Sequence, residues 1–462
     1  MRKVRVGSGS AGWPDLADAA WDVARHGNLD YMGLDHLAEL TMAILYRQKI
    51  ANPKRGYIPD TIPLMKGLLP IWKATGRRMK IVDNGGGANP EQCAEEVIRV
   101  CKDISLGPIK IGVITGDMLP LEKIDSLAEN GFPFKNLDNG EVGLDRIRQK
   151  LLAAYVYVGG DKVIEAFEQG ANLVLAGRLA DNSLFVPGFM HGLGWKFGDE
   201  YWDRIGSAVI ASHLLECGSW ATGCSSNLWA EVPEPWHPSM PICEMDDTGE
   251  AVFSITPTSG GIMRELTLKE HLLYEVHDPC NYLMPDGIGD ITTVKFQQIG
   301  KDVVKMSKSG DRPRGKKRPD TLKLCLVYHD GYASEYTMVV PGPGIWKRVE
   351  KTKEYVQKRL ELSGLKPTEW SMSLIGYNSI LGPAAPPLKY EPPELGFRFA
   401  FKCNTKDEAR ECRVQAGTLS WNAAGIGNAF GNSPADRDVY ALWPTLIPRE
   451  SVPLNLEVRD VK

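Results

Sequence analysis

The sequence predicts an α/β protein: a mainly parallel, Rossmann-like sheet in an N-terminal domain over 1–260, followed by a smaller α+β sandwich domain over 261–462. Three observations carry this. Short apolar runs in residues 1–180 mostly alternate with helical patterns, which is the chain order of βαβ units. The Gly-rich and acid-bearing loops of that stretch lie at the carboxyl ends of those runs, the edge where open parallel sheets bind ligands. Near 255–265 the texture changes, and 322–377 reads β-β-α-β, as in a sheet with helices on one face. A length of 462 residues by itself calls for more than one core.

In chain order, KVRV at 3–6 leads into a Gly-rich turn, after which Pro14 opens a helix over Asp15–Arg25 that stops at Gly27. LDYMGL at 29–34 is a second strand, with a helix over Ala38–Lys49 behind it. MKIVDN at 79–84 is a third, followed by GGGANP and a helix over Pro90–Ile104. IKIGVITG at 109–116 reads as a strand covered on both faces. YVYVG at 155–159 precedes a helix over Asp161–Gln169, and NLVLAG at 172–177 precedes RLADNS. Helices Ile205–Cys217 and Thr267–Tyr274 follow, then strands near 290–299, 302–306, 322–330 and 334–340. The chain closes with a helix over Ile345–Ser363, a strand at 370–377, a Pro-rich loop at 382–394, the strand FRFAFKCN and a helix over Lys406–Ala416. This order leaves open whether the N-terminal sheet is flat or closed into a barrel.

Composition excludes several function classes. An apolar fraction of 43% with 24% charged residues is that of a globular protein rather than a disordered, collagen-like or coiled-coil chain. A net charge of −4 gives no electrostatic reason to expect nucleic acid or an anionic membrane. The basic run Lys308–Arg318, broken by Gly and Pro, reads as a solvated loop. Apolar runs fall short of the ~20 residues that span a bilayer, and MRKVRVGSGSAG lacks a signal-peptide core. The nine cysteines show neither a CxxC pair nor zinc spacing, which suits a reducing cytoplasm.

Seven segments bear chemistry. Gly7–Gly12 satisfies G-x-G-x-x-G between a strand and a helix, with Asp30 and Asp35 at the distance of a ribose-binding acid, so an NAD(P) or CoA site is one reading. A substrate or structural turn built on Gly9, Ser10 and Gly12 is the other, since Asp15 places negative charge where a pyrophosphate would approach. In Asn84–Pro90, the glycines Gly86 and Gly87 with the amides of Asn84 and Asn89 can make an anion-binding nest, or a sharp turn with Asn89 as helix cap. Arg178, just past a strand, can grip a carboxylate bidentately, with Asp181 orienting it or acting as base. The alternative is a structural Arg–Asp pair. His213, Glu216 and Cys217 share one helix and could serve acid–base or thiol chemistry, against an inert buried cysteine. Thr258 and Gly260 lie in a further anion-receptive turn, PTSGG. Glu275 and His277 form a general-base candidate or a helix C-terminal cap. Asp35 and Glu39, read as i, i+4 acids on a helix, are a weak metal candidate.

GSGSAG at 7–12, LDHLAE at 34–39, DNGGGANP at 83–90, GRLADNSL at 177–184 and HLLECGSWATG at 213–223 resemble segments of the acyclic terpene utilisation (AtuA) family. PTSGGIM at 257–263, LLYEVHDPCNYLMPD at 272–286 and RPDTLKL at 318–324 extend the resemblance across nearly the whole chain. It implies catabolism of branched acyl-CoA and carboxylic acids. The chain resembles a short form without the small C-terminal domain of longer members, which implies a separate small protein of ~100 residues as partner.

These readings together lead to an expected function: a lyase of the hydration or dehydration type, acting on a small carboxylic acid or branched acyl-CoA. Arg178 and the Asn84–Asn89 loop would hold carboxylate or thioester oxygen, and Asp181, Glu216, Glu275 or His277 would move the proton. An NAD(P)- or CoA-binding oxidoreductase and a non-catalytic subunit are the alternatives. A homo-oligomer is expected of a chain this size.

Overall fold

A computed structural model describes residues 2–76, 78–422, 430–432 and 434–462. The chain forms two compact units, one from 1–144, 153–326 and 443–462, the other from 145–152 and 327–442. Residues 261–326, which the change of texture assigns to a second domain, pack in the first unit.

The first unit is built on β1 (Lys3–Ala11), α1 (Ala17–His26), β2 (Tyr31–Asp35), α2 (Glu39–Ala51), α3 (Thr61–Ala74), β3 (Lys80–Asp83), α4 (Pro90–Asp103) and β4 (Ile109–Thr115). It continues with β5 (Met118–Leu119), α5 (Leu121–Glu129), β6 (Leu151–Val156), α6 (Asp161–Glu168), β7 (Leu173–Leu175), α7 (Val186–Leu193), α8 (Trp202–Glu216), β8 (Ile242–Asp246), β9 (Ala251–Ser254) and α9 (Glu265–Leu272). The first helix starts at Ala17, so Pro14 lies ahead of it rather than in its first turn.

Only the centre of the ten-stranded sheet is parallel. There β1, β2, β3, β7 and β4 lie side by side. Antiparallel strands extend both edges: β8, β9 and the hairpin Val294–Lys308 beyond β1, and Asn455–Val461 beyond β4. The expected mainly parallel sheet is therefore a mixed one, and an open path of strands rather than a barrel. The YVYVG segment also leaves it: β6 pairs antiparallel with β5, and Val158 makes an isolated parallel bridge to Leu179, beyond the end of β7.

Neighbouring residues of a strand point to opposite faces, and β2 shows what covers each. Met32 and Leu34 enter a core with Val23 of α1, Leu68 and Trp72 of α3, and Val97 of α4. Tyr31 points the other way, to Phe167 of α6 and His191 of α7. Both faces are thus buried, which is why the central strands read apolar throughout.

In the second unit, Glu394–Cys403 pairs antiparallel with Glu369–Ile375 on one side and with the 332–341 half of a strand on the other. That strand runs unbroken over Thr321–Pro341, where two were expected. Helices Ile345–Leu362 and Lys406–Gly417 supply Val356, Leu360, Ala409 and Cys412 to a core with Phe397, Phe399 and Phe401. Among the described residues, no helix is long and apolar enough to cross a membrane.

The basic run is not a plain solvated loop. Arg314 is buried and donates to Asp203 Oδ2 at 2.7 Å and to the carbonyls of Thr248 and Gly249.

A candidate active-site cleft

The carboxyl ends of the parallel strands converge, as the sequence order requires, and the side chains there are mostly spent on one another. Asp35 ends β2, and Glu39 begins α2, so the two are not i, i+4 neighbours on a helix. Asn84 Nδ2 donates to Asp35 Oδ1 at 2.6 Å, and its Oδ1 accepts from the His36 backbone at 2.8 Å. Ser10 donates to the Asp35 carbonyl at 2.6 Å and lies 3.1 Å from His36 Nδ1. His36 Nε2 faces Asp83 Oδ1 at 3.5 Å. Burial pushes the Asp35 carboxyl well above its usual range, and nearby Asp181 adds to this against the opposing pull of Arg178.

In the two glycine-rich segments many of the polar groups are already bonded within the protein. Gly7 and Gly9 lie inside β1, where a Cβ would meet Leu29 and Leu34 at 2.6 Å. Asp15 takes the place of an anion, its Oδ2 accepting from the Ala11 backbone at 2.7 Å. A cavity of only about 20 Å³ adjoins Gly9 and Ser10, and a Cβ added at Gly12 would meet nothing within 4 Å. These residues do not fit a dinucleotide pyrophosphate, which needs a free glycine turn against the helix N-terminus. In the second segment, the Gly85 N–H goes to Asp83 Oδ1 and that of Gly87 to the Asn84 carbonyl. Asn89 Nδ2 ties the loop to the carbonyls of Pro53 and Arg55, so Asn89 braces the turn and offers no side-chain cap. A Cβ on Gly86 would stand 2.5 Å from the Ala176 carbonyl oxygen, which is why glycine is required there.

Thr258 and Gly260 lie apart from this edge. Thr258 donates to Asp22 of α1 at 2.6 Å, and the Gly260 N–H goes to the His237 carbonyl.

Beyond the sheet edge opens a cleft of about 380 Å³. Four of the predicted acids line it: Glu39, Asp181, Glu216 and Glu275. Lys323, Tyr157, Asn182 and Tyr282 join them, with Leu137, Leu283, Met284, Leu322 and Leu446 as the apolar part of the wall. None of these last residues was singled out in sequence, although Lys323 and Tyr282 fall in the RPDTLKL and LLYEVHDPCNYLMPD segments.

Arg178 stands behind the cleft rather than in it. It is 1% exposed, donates from Nη1 to Asp181 Oδ1 at 2.6 Å and to the Leu179 carbonyl, and stacks 4.1 Å from the Tyr157 ring centre. Burial opposes its charge, but Asp181, Tyr157 and Asp35 outweigh that and hold the guanidinium above its usual value. The expected substrate anchor is thus the counter-ion of a cleft carboxylate. Its backbone N–H donates to Asp117, a buried acid pushed up to about 6 by desolvation. The cation that does line the cleft is Lys323, 3.3 Å from Glu39 and 4.7 Å from the Tyr157 ring centre.

At the end of α8, His213 Nδ1 meets Glu216 Oε1 at 2.8 Å, both residues being buried. Burial raises Glu216 to about 7 in spite of the pull of His213. Burial also works against a charged His213, yet Glu216 and, further off, Glu275 hold the imidazole above its ordinary value. Among the described residues, the buried atoms Glu216 Oε2 and His213 Nε2 have no hydrogen-bond partner. Cys217 is the wrong group for a nucleophile: burial and the surrounding carboxylates push its thiol up, so it stays protonated. His277 is exposed and takes no part in the cleft lining, whereas Glu275, two residues earlier at φ +57°, does. Among the described residues, no group of three or more His, Cys, Asp or Glu side chains is arranged to hold a metal ion.

No curated protein matches the chain. Residues 4–458 match the acyclic terpene utilisation family protein AtuA. With nearly all of its length matched, the chain belongs to the acyclic terpene utilisation family.

Proposed function

We propose that this chain is an acid–base lyase that adds or removes water next to the carbonyl of a branched acyl group, with an acyl-CoA thioester as its substrate. The observation that carries the reading is Glu216: buried, raised to about 7, tied through one oxygen to His213, and set in a cleft beside Asp181 and Glu275. A carboxyl poised near the working pH is suited to general acid–base catalysis.

The dehydration direction uses the residues as follows. Asp181, with Arg178 as counter-ion, takes the proton on the carbon next to the carbonyl. The C–H electrons form the double bond as the C–O bond one carbon further on breaks. Glu216 gives its proton to the departing hydroxyl, which leaves as water. Hydration runs the same steps in reverse. In this reading Lys323, the cation of the cleft wall, binds the carbonyl oxygen, where negative charge develops.

The cleft's charge argues for a thioester over a free acid. With Glu216 carrying its proton, the remaining lining acids Glu39, Asp181 and Glu275 still outnumber the one lining cation and disfavour a further negative group at the reacting end, while a neutral acyl carbonyl meets no such penalty. Leu137, Leu283 and Leu446 are all more than 40% exposed at this wall and offer a surface for a hydrocarbon chain. The family's tie to acyclic terpenes, themselves branched hydrocarbons, agrees with that surface.

The test is to incubate the purified chain with a panel of branched 2-enoyl- and 3-hydroxyacyl-CoA thioesters, following the conjugated thioester's absorbance. Turnover that falls ~10²–10⁴-fold in Glu216→Gln, with the fold kept, is the expected result. Turnover indifferent to Glu216→Gln, or none with any thioester, overturns it.

A further inference from the structure

The hydrogen bonds around Glu216 have a direction that follows from atom types alone. The Val209 carbonyl can only accept, so the Asn182 atom 2.8 Å from it is the NH₂ group. That fixes Asn182 Oδ1 toward the Tyr282 hydroxyl, 3.2 Å away. Oδ1 can only accept, so it takes the single phenolic hydrogen. Toward His213 Nδ1, at 3.1 Å, the phenol oxygen is left as an acceptor. Nδ1 must then carry a hydrogen, which it shares between Tyr282 and Glu216 Oε1. Oε1 is an acceptor whether His213 is neutral or charged.

His271 packs against the same ring. His271 stacks on His213 with ring centres 5.4 Å apart and planes 20° from parallel, and its Nε2 lies 3.2 Å from the His213 carbonyl. Burial and the neighbouring His213 hold His271 near 3, hence neutral, so its Nε2–H donates to that carbonyl. Besides His213, the titratable groups acting on Glu216 are Asp181 and Glu275, and it in turn acts on Tyr282 and Cys217.

We propose that the Val209 carbonyl, Asn182, Tyr282 and His213 form a one-way hydrogen-bond relay that engages Oε1 of Glu216 and reserves Oε2 as the oxygen of that carboxyl left to exchange a proton. Asn182 and Tyr282 are then positioning residues, acting through His213. Among the described residues Oε2 is a buried oxygen without a partner, on a residue that lines the cleft. Its meaning for catalysis rests on the proposed role of Glu216, but the relay itself does not.

The experiment reads the tautomer directly. In protein labelled with ¹⁵N-histidine, long-range ¹H–¹⁵N correlation above the titration of the imidazole distinguishes Nδ1–H from Nε2–H. His213 is assigned by the signal lost in His213→Gln, or by its shift in Tyr282→Phe should that variant not fold. The expected result is Nδ1–H in the native chain. In Glu216→Leu, with that acceptor gone, the phenol oxygen alone keeps Nδ1–H; adding Asn182→Leu frees the phenolic hydrogen to point at Nδ1 and shifts His213 toward Nε2–H. Nε2–H in the native chain overturns the relay, as does a tautomer unchanged between Glu216→Leu and Glu216→Leu/Asn182→Leu. Because no substrate is needed, an Nδ1–H tautomer in a chain without turnover discards the lyase and keeps the relay. The opposite tautomer in an active enzyme does the reverse.

Discussion

Arg178→Met separates a residue that holds the cleft from one that binds substrate. Breaking a buried ion pair from one side costs ~3–5 kcal/mol, and breaking an exposed one at most about 1. The side chains here are 1% and 34% exposed, so the pair falls between, at about 2 kcal/mol. Stacking on Tyr157 at 4.1 Å is worth about 1 kcal/mol more when desolvated. Asp35 adds little, because burial already favours its neutral form. An unfolding entropy of ~2.1 cal/mol/K per residue gives roughly 0.7 kcal/mol/K for a unit of roughly 340 residues, so ~3 kcal/mol lowers Tm by about 4 °C. Scanning calorimetry reads this. The double variant Arg178→Met/Asp181→Leu removes the stranded carboxylate and recovers about half of the loss. A single variant within 1 °C of the parent, or a double variant at least as unstable as the single, refutes the counter-ion assignment (the threshold being about a quarter of the shift worked above).

Three further outcomes are expected. Glu216 holds its proton to about 7 when folded against an ordinary 4.5, so its contribution to stability is present below pH 4.5 and lost as pH rises through about 7. The loss is of order 3 kcal/mol. His213, also raised, loses its contribution in the same direction, and urea titrations of Glu216→Gln against pH should show a flatter decline across that window. Gly86→Ala drives a Cβ against the Ala176 carbonyl and Pro90 and costs about 2 kcal/mol or more, while Gly12→Ala, in open space, changes stability by less than about 0.5; equal melting temperatures would contradict this. Lys323→Met breaks only a half-exposed pair with Glu39, so Tm moves little, whereas KM for an acyl thioester rises several-fold if the lysine meets the carbonyl end.

How much of this was legible in the sequence depended on whether the decisive contact was local. The central strands and their helices were, because alternation and 3.6-residue periodicity are set within about ten residues. Helix Thr61–Ala74 was hidden by Pro63 and Pro70, the latter inside the helix, where local rules place a break and tertiary packing of Leu64, Leu68 and Trp72 overrides it. The strand expected at 155–159 lies instead at Leu151–Val156, and its sheet was misread too, since an apolar run does not state its partner. The antiparallel strands beside β1 come from a stretch whose Trp and Pro content masked them.

The cleft divides along the same line. Glu39, Asp181, Glu216 and Glu275 could be picked by type, since each is an acid next to an expected strand or helix end in a motif-bearing segment. Their roles could not, because role here is fixed by depth and by partners far along the chain. Arg178 looks the same in sequence whether it faces solvent or Tyr157; only burial turns an anchor into a counter-ion. Lys323 reaches Glu39 across 284 residues, and Asn182 sets the hydrogen on Tyr282, which lies 100 residues away. The sheet edge supplies a floor that local pattern can locate, while its walls arrive from 137, 275–285, 319–323 and 446 by long-range packing. A sequence reading can therefore nominate the acids of such a site, but which of them holds a transferable proton is decided by the atoms that already occupy its other lone pairs.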